Sequence, residues 1–234
     1  MGHLLLVRHG QASFGAADYD VLSERGWEQG RLLGTWLHER GIAPSAVVRG
    51  TMRRHRETTE AMTAGGGWDG VPVAVDPGWD EFDHVGLVAA HPAFADAAAG
   101  ADGADQTSID RRRFQEIFEE ATARWTAGEQ LGTTESYADF LRRVRGSLEA
   151  ATAGCGSGET VVVVTSGGPI AVVAASLVDP TVADDQAALA RLWSRFNTVL
   201  VNAAYTRLLV GSTGARLLTF NEHHHLRGDE ITYR

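Results

Sequence analysis

Leu4-Leu5-Leu6-Val7-Arg8-His9-Gly10 is the stretch on which the fold turns. Its first four residues are apolar without a break, the pattern of a strand covered on both faces, as in a parallel sheet flanked by helices. Polar residues just past the carboxyl end of such a strand lie where open α/β sheets bind ligands. An arginine there can clamp an anion with its planar fork of donors, and a histidine beside it can act as base or nucleophile. Glycine lets the backbone pass close to a ligand. Alone, Arg-His-Gly fits a strand that simply ends in polar residues equally well. Other stretches have to converge on it.

Working outward, residues 11–20 read as a polar, glycine-containing loop, and Ser23 as the N-cap of a helix running to about Arg40, with Leu32, Leu33, Trp36 and Leu37 on one face. Gly41 stops that helix. A short strand, Ala46-Val47-Val48, leads into a second helix from about Met52 to Ala64, with Gly65-Gly66-Gly67 as a loop. Val71-Pro72-Val73-Ala74-Val75 is a third strand, which Pro72 marks as an edge or a strand start. From about residue 82 to 158 the alternation of strand and helix lapses. A loop at 95–105 and helices at 109–127 and 134–153 predict a helical insertion beside the sheet. The rhythm returns with the apolar strand Val161-Val162-Val163-Val164, then Thr165-Ser166-Gly167-Gly168-Pro169, where Pro169 suits the first turn of a helix reaching about Leu177. Residues 199–201, 205–210 and 216–220 read as closing strands. The expectation is a single three-layer α/β/α sandwich over residues 1–234, its sheet mostly parallel, with the insertion at about 82–158.

At 234 residues the chain is long enough for a real core, and its 44% hydrophobic and 22% charged content is ordinary for a soluble globular protein. A net charge of −9, with arginine supplying every basic side chain, argues against a general nucleic-acid-binding surface. Any anionic substrate must then be drawn by local arginines against the overall field. The single cysteine, Cys155, sits in Gly154-Cys155-Gly156-Ser157-Gly158 and reads as a small loop residue in a reducing compartment. Met1 is followed almost at once by the first strand, and no apolar run approaches the roughly 18–20 residues of a membrane span. A cytoplasmic protein without membrane attachment is expected.

Four stretches share one layout, an apolar strand with polar residues at its carboxyl end. The first presents Arg8 and His9; the second Arg53, Arg54 and Arg56 at the start of a helix. The third presents Asp76-Pro77-Gly78-Trp79-Asp80-Glu81, and the fourth Thr165-Ser166-Gly167-Gly168, whose backbone N–H groups open a helix and favour an anion. Arginines, a histidine, a carboxylate and a helix N-terminus at one sheet edge describe a phosphoryl site.

Val7-Arg8-His9-Gly10-Gln11 resembles the signature of the histidine phosphatase superfamily, the phosphoglycerate-mutase-like proteins. The resemblance continues through residues 22–29 and through Thr51-Met52-Arg53-Arg54-His55-Arg56-Glu57-Thr58-Thr59, which aligns Arg54 with the family's second phosphate-binding arginine. Trp79-Asp80-Glu81 falls at the family's acidic residue. The likeness covers nearly the whole chain and covers the insertion least. It implies that His9 attacks phosphorus and becomes a phosphohistidine, which water then hydrolyses. Arg8 and Arg54 would hold the equatorial oxygens, and Glu81 would protonate the leaving oxygen and then activate the water. It implies no metal and no organic cofactor, and a small phosphorylated substrate or inorganic phosphate as partner.

One departure stands out. The family usually has a second histidine before the paired glycines of the fourth motif, and this chain has Ser166. A hydroxyl still donates one hydrogen bond but carries no charge, and losing such a donor typically costs on the order of 10²–10³ in rate. The expected activity is phosphomonoester hydrolysis, with Ser166 and Gly167 completing the phosphate site. A phospholigand-binding module with little turnover, and phosphoglycerate-mutase-type transfer, are the alternatives. His55 and His84 could lean into the cleft as substitutes, but both read more simply as surface histidines. His91, before Pro92, reads as capping a turn. Consecutive His223-His224-His225 point different ways and do not suggest a metal site. Arg111-Arg112-Arg113 reads as a solvated helix face, and Trp27, Trp36 and Trp125 as core.

Overall fold

The computed structural model describes residues 1–13, 20–93, 111–131, 135–182 and 184–233. Much of the loop expected after Gly10 and the whole of the 95–105 segment lie outside the described residues. Six strands form one sheet: β1 (Gly2–Arg8), β2 (Ala46–Arg49), β3 (Val73–Val75), β4 (Thr160–Thr165), β5 (Tyr205–Gly211) and β6 (Gly214–Glu222). Their order is β3-β2-β4-β1-β5-β6. The first four run parallel, and β5 and β6 close the sheet antiparallel.

Described helices are α1 (Glu24–Glu39), α2 (Arg53–Gly66), α3 (His84–Ala89), α4 (Arg111–Thr126), α5 (Tyr137–Ala153), α6 (Gly167–Val178) and α7 (Gln186–Val199). The apolar runs of β1 and β4 are divided residue by residue between two cores. Leu5, Val7, Val162 and Val164 meet Leu33 and Leu37 of α1 and Met62 of α2. Leu4, Leu6, Val161 and Val163 point the other way, into Phe140 and Val144 of α5, Ile170 of α6 and Trp193 of α7. Side chains alternating across a strand that is buried on both sides produce the three layers. The stretch after residue 82 is thus bound into the sheet's own core: Phe82, Trp125, Tyr137 and Phe140 form an aromatic cluster with Trp193.

Ser23 caps α1 by accepting the Gly26 N–H at 3.1 Å. Several expectations fail at glycines and at the chain's end. Gly65 and Gly66 continue α2, and only Gly67, with φ +64°, ends it. They are helical because α1 and α2 pack with almost no gap: a Cβ on Gly34 would stand 2.1 Å from the Met62 carbonyl, and one on Gly65 2.1 Å from that of Arg31. Turning Gly26, Gly30 and Gly34 inward leaves Trp27 on the outside, 37% exposed and not in the core. Trp36 is half-buried, with Arg40 over its ring, while Trp125 is core. Strand β3 starts at Val73, beyond Pro72, at the sheet's edge. Residues 199–201 are not a strand; Val199 is the last residue of α7, a helix not anticipated, which buries Leu189 and Trp193 one turn apart. In the arginine run of α4 only the Arg113 side chain is described, exposed and 3.2 Å from Glu116. No described helix is long and apolar enough to cross a membrane.

Candidate active site

Strands β1, β2 and β4 and the turn after β3 deliver their polar ends to one place, as a parallel sheet must. His9 follows β1 and its main chain is held from three sides. Its N–H donates to the Thr165 carbonyl at 2.9 Å, and its carbonyl accepts from the Ala203 N–H at 3.2 Å and Asn202 Nδ2 at 3.3 Å. The side chain is buried, with Nδ1 2.7 Å from the Gly10 carbonyl. A carbonyl only accepts, so Nδ1 carries the proton and Nε2 keeps its lone pair. Burial first, then the charges of Arg54, Arg8 and His55, hold the imidazole well below its usual pKa of 6.5. His9 is therefore a neutral base or nucleophile at neutral pH.

Gly10 donates its N–H to Thr58 Oγ1 at 3.0 Å, and the Thr58 hydroxyl donates to the Arg54 carbonyl at 2.7 Å. That chain ties the loop carrying His9 to the first turns of α2. Arg54, the second arginine, is 4% exposed and pairs with Asp20 at 2.9 Å. Arg8 places Nη1 on the carbonyls of Leu200 and, at 2.9 Å, Tyr233. Both guanidiniums lie close enough to His9 to depress its basicity.

Glu81 meets the amino end of α6. Its carboxylate accepts the Gly168 N–H at 3.1 Å and the Phe82 N–H at 3.2 Å. A Cβ on Gly168 would sit 2.1 Å from Glu81 Oε1, so only glycine admits this approach. Gly167 begins α6 beside Arg8, whose Nε would lie 3.8 Å from a Cβ placed there. Ser166, fully buried, is the residue before that helix and makes no cap bond with its side chain. Its hydroxyl lies 2.7 Å from His55 Nε2 instead.

His55 corrects the surface reading outright. The ring is 0% exposed, and its centroid lies 5.9 Å from that of His9. Its Nδ1 is 3.6 Å from Asp80 Oδ1. Burial depresses its pKa, an effect that Arg54 adds to and that Asp80 and Glu81 oppose. Burial works against the Asp80 carboxylate too, but the His55 ring facing it and the hydrogen bonds it accepts from Thr51 prevail and leave its pKa lowered. His84 is half-buried, edge-on to Phe82, with its pKa lowered by burial.

Two further residues were not legible in the sequence. Arg143 of α5 grips Glu135 through two hydrogen bonds of 2.6 and 2.9 Å and donates to the Gly78 and Asp80 carbonyls at 3.0 and 2.6 Å. It thereby fixes the turn that carries Asp80 and Glu81. Asn202 supports the His9 carbonyl and is itself held by Thr232, whose hydroxyl donates to Asn202 Oδ1 at 3.0 Å. No local motif marks either, because both act from elements remote in the chain. The remaining histidines lie elsewhere. His91 Nδ1 accepts the Ala93 N–H at 3.3 Å, the turn cap expected of it. His223 contacts the Asn221 carbonyl, His224 stacks on Trp36, and His225 is buried, its pKa lowered to about 3.

The family model of the histidine phosphatase superfamily (branch 1) matches residues 4–223. Among solved structures, the chain is similar to a putative alpha-ribazole-5'-P phosphatase from Escherichia coli, at 19% identity and a TM-score of 0.63, covering 95% of this chain and 97% of that one. It is similar to a mycobacterial glucosyl-3-phosphoglycerate phosphatase at 22% identity and a TM-score of 0.61, covering 94% and 99%. It is also similar to a phosphoglycerate mutase from Bacillus anthracis at 18% identity and a TM-score of 0.61, covering 96% and 94%. At such identities the structures share the fold. No curated protein matches the sequence. The chain belongs to the histidine phosphatase superfamily.

Proposed function

We propose that this member of the histidine phosphatase superfamily hydrolyses a small phosphomonoester through a phosphohistidine on His9. The observation that carries the reading is the state of that ring. Its Nδ1 lies 2.7 Å from the Gly10 carbonyl, which takes that nitrogen's proton, and burial above all, with the charges of Arg54 and Arg8, disfavours a second proton on Nε2. A neutral imidazole beside paired cations is what attack on an anionic phosphorus requires.

In the first step Nε2 of His9 forms a bond to phosphorus as the ester P–O bond breaks, and Glu81 gives its proton to the leaving oxygen. In the second, water attacks the phosphohistidine, its proton passes to the Glu81 carboxylate, and phosphate leaves with Nε2 restored. Arg8 and Arg54 neutralise the equatorial oxygens throughout, and Ser166 and the N–H of Gly167 are the donors from the α6 side. The catalytic set is His9 and Glu81, and the phosphate-binding set is Arg8, Arg54, Ser166 and Gly167. The reading needs no metal or organic cofactor, and the intracellular compartment suits the lone buried cysteine. Neither nucleic acid nor membrane is a partner in it.

A phospholigand-binding module with little turnover is the second reading. It is favoured by the uncharged Ser166 and by the hold that Asp20 and the Leu200 and Tyr233 carbonyls keep on the two arginines. Mutase-type transfer ranks third, because it would need the phosphoenzyme to survive long enough to rephosphorylate a substrate. Turnover of p-nitrophenyl phosphate by the wild type and by His9→Ala decides between enzyme and binding module. Turnover that His9→Ala abolishes supports hydrolysis; equal background in both supports binding alone.

A further inference from the structure

We propose that His55 and Asp80 are positioning residues for phosphoryl transfer: the imidazole, held between Asp80 and Ser166, aims the Ser166 hydroxyl proton at a phosphoryl oxygen. The inference rests on the phosphatase reading and concerns how that site is completed.

A fully buried imidazole is costly where a nitrogen lacks a partner. Nε2 of the His55 ring has the Ser166 hydroxyl at 2.7 Å, while Nδ1 makes no hydrogen bond and faces the Asp80 carboxylate at 3.6 Å, a buried donor turned toward a negative charge. Space has been kept for the ring. A Cβ on Gly50 would lie 2.3 Å from His55 Nδ1 and 2.4 Å from Asp80 Oδ1, so only glycine lets the two meet. Asp80 is anchored in turn by the Thr51 N–H at 2.6 Å and by the Thr51 hydroxyl. Ser166 then stands next to His9 across the sheet, because Arg8 of β1 is paired with Thr165 of β4.

A hydroxyl has one proton, and its direction depends on what its neighbour offers. With Nε2 unprotonated, Ser166 donates to the ring and turns lone pairs toward the phosphoryl site. With Nε2 protonated, the ring donates to Ser166, whose proton is released toward the substrate. Asp80 beside Nδ1 favours a proton on that nitrogen, so the useful state is the imidazolium, protonated on both. His55 faces His9 at the end of β1, Arg54 on its own helix, Asp80 and Glu81 on the turn before α3, and Ser166 before α6. Burial above all, and then Arg54, disfavour the charge, while the two carboxylates favour it; the added negative charge of a bound phosphoryl dianion shifts the balance toward protonation.

The test is kcat and KM for p-nitrophenyl phosphate across pH for wild type, His9→Ala, His55→Ala, His55→Gln, Ser166→Ala and the two doubles pairing each His55 variant with Ser166→Ala. His55→Ala and Ser166→Ala are each expected to lower kcat by roughly 10²–10³, and His9→Ala sets the background. Because His55 works through Ser166, the doubles should fall no more than about tenfold below the weaker single, instead of by the product of both losses. His55→Gln keeps an amide donor that cannot titrate, so it should recover part of the rate and flatten the alkaline limb. Should His55→Ala fail to fold, the cycle through His55→Gln gives the same reading. Unchanged kcat in the His55 variants, losses that multiply in a double, or an unaltered alkaline limb in His55→Gln overturns the inference alone. Wild-type turnover no greater than that of His9→Ala overturns the phosphatase reading and this inference with it.

Discussion

His9 owes its unprotonated nitrogen more to burial than to any one neighbour, and the two guanidiniums add to the same effect. Its share of the acid limb in kcat/KM is accordingly expected below pH 6.5, the value for a free imidazole. A pH–rate profile checks this, and a limb from His9 above that value contradicts it. Ser166→His tests the neighbouring position. The hydroxyl is already 2.7 Å from His55 in a fully buried place, so an added ring has nowhere to go. Activity should fall, by roughly tenfold or more, as overpacking displaces groups around the site. A rise would mean that serine is only a poor stand-in for imidazole. Sequence alone brought Arg8, His9, Arg54, Glu81 and Ser166 to one sheet edge because each directly follows a strand or opens a helix. It missed the inward turn of His55, since a histidine beside an arginine on a helix has no periodic mark to separate site from surface.

Among the elements, α1 and α2 set the position of Arg54 and of the loop after β1, through close backbone contact at their glycines as well as the shared packing of Leu33, Leu37 and Met62. Gly34→Ala would press a methyl to 2.1 Å from the Met62 carbonyl. A loss of about 1–3 kcal/mol is expected, read as a lower urea midpoint at unchanged slope. The glycines that read as punctuation, Gly65 and Gly66, are contact points inside a helix for the same reason. Strands β1 and β4 were legible because a run buried on both faces has no other simple reading. Helix α7 was missed although Leu189, Leu192, Trp193 and Phe196 recur at helical spacing, because its last residue, Val199, runs straight into Leu200 and Val201 and the three together read as a strand. Arg143 shows an element acting at a distance: from α5 it pins the turn bearing Asp80 and Glu81. Arg143→Ala should lower kcat by at least tenfold while leaving phosphate affinity nearly intact, because neither arginine of the site depends on it. Equal losses in phosphate affinity and kcat would contradict that division.

For the whole molecule, the burial that suits the site creates an acid liability. His9, His55, His84 and His225 all have pKa values lowered by burial in the fold, so below about pH 6.5 the unfolded chain takes up protons that the folded chain refuses. Stability is thus full above the unfolded value and is lost as pH falls toward the folded ones. His225, with a folded pKa of about 3, alone accounts for on the order of 2 kcal/mol between pH 6.5 and about pH 5. Asp80, whose pKa is lowered from 3.8, adds its own loss only under more acid conditions. Urea unfolding at a series of pH values should show the decline, and His225→Leu should make it shallower. Stability that holds or rises on acidification through this window would contradict the burial of these rings.

The most direct measurement is capture of the covalent intermediate. Rapid mixing with p-nitrophenyl phosphate, quenching in base to preserve an acid-labile phosphoramidate, and peptide mass spectrometry should find one phosphoryl group on His9, absent from His9→Ala. A phosphoryl group on another residue, or turnover by the wild type with His9 unmodified at every time sampled, would contradict His9 as the nucleophile.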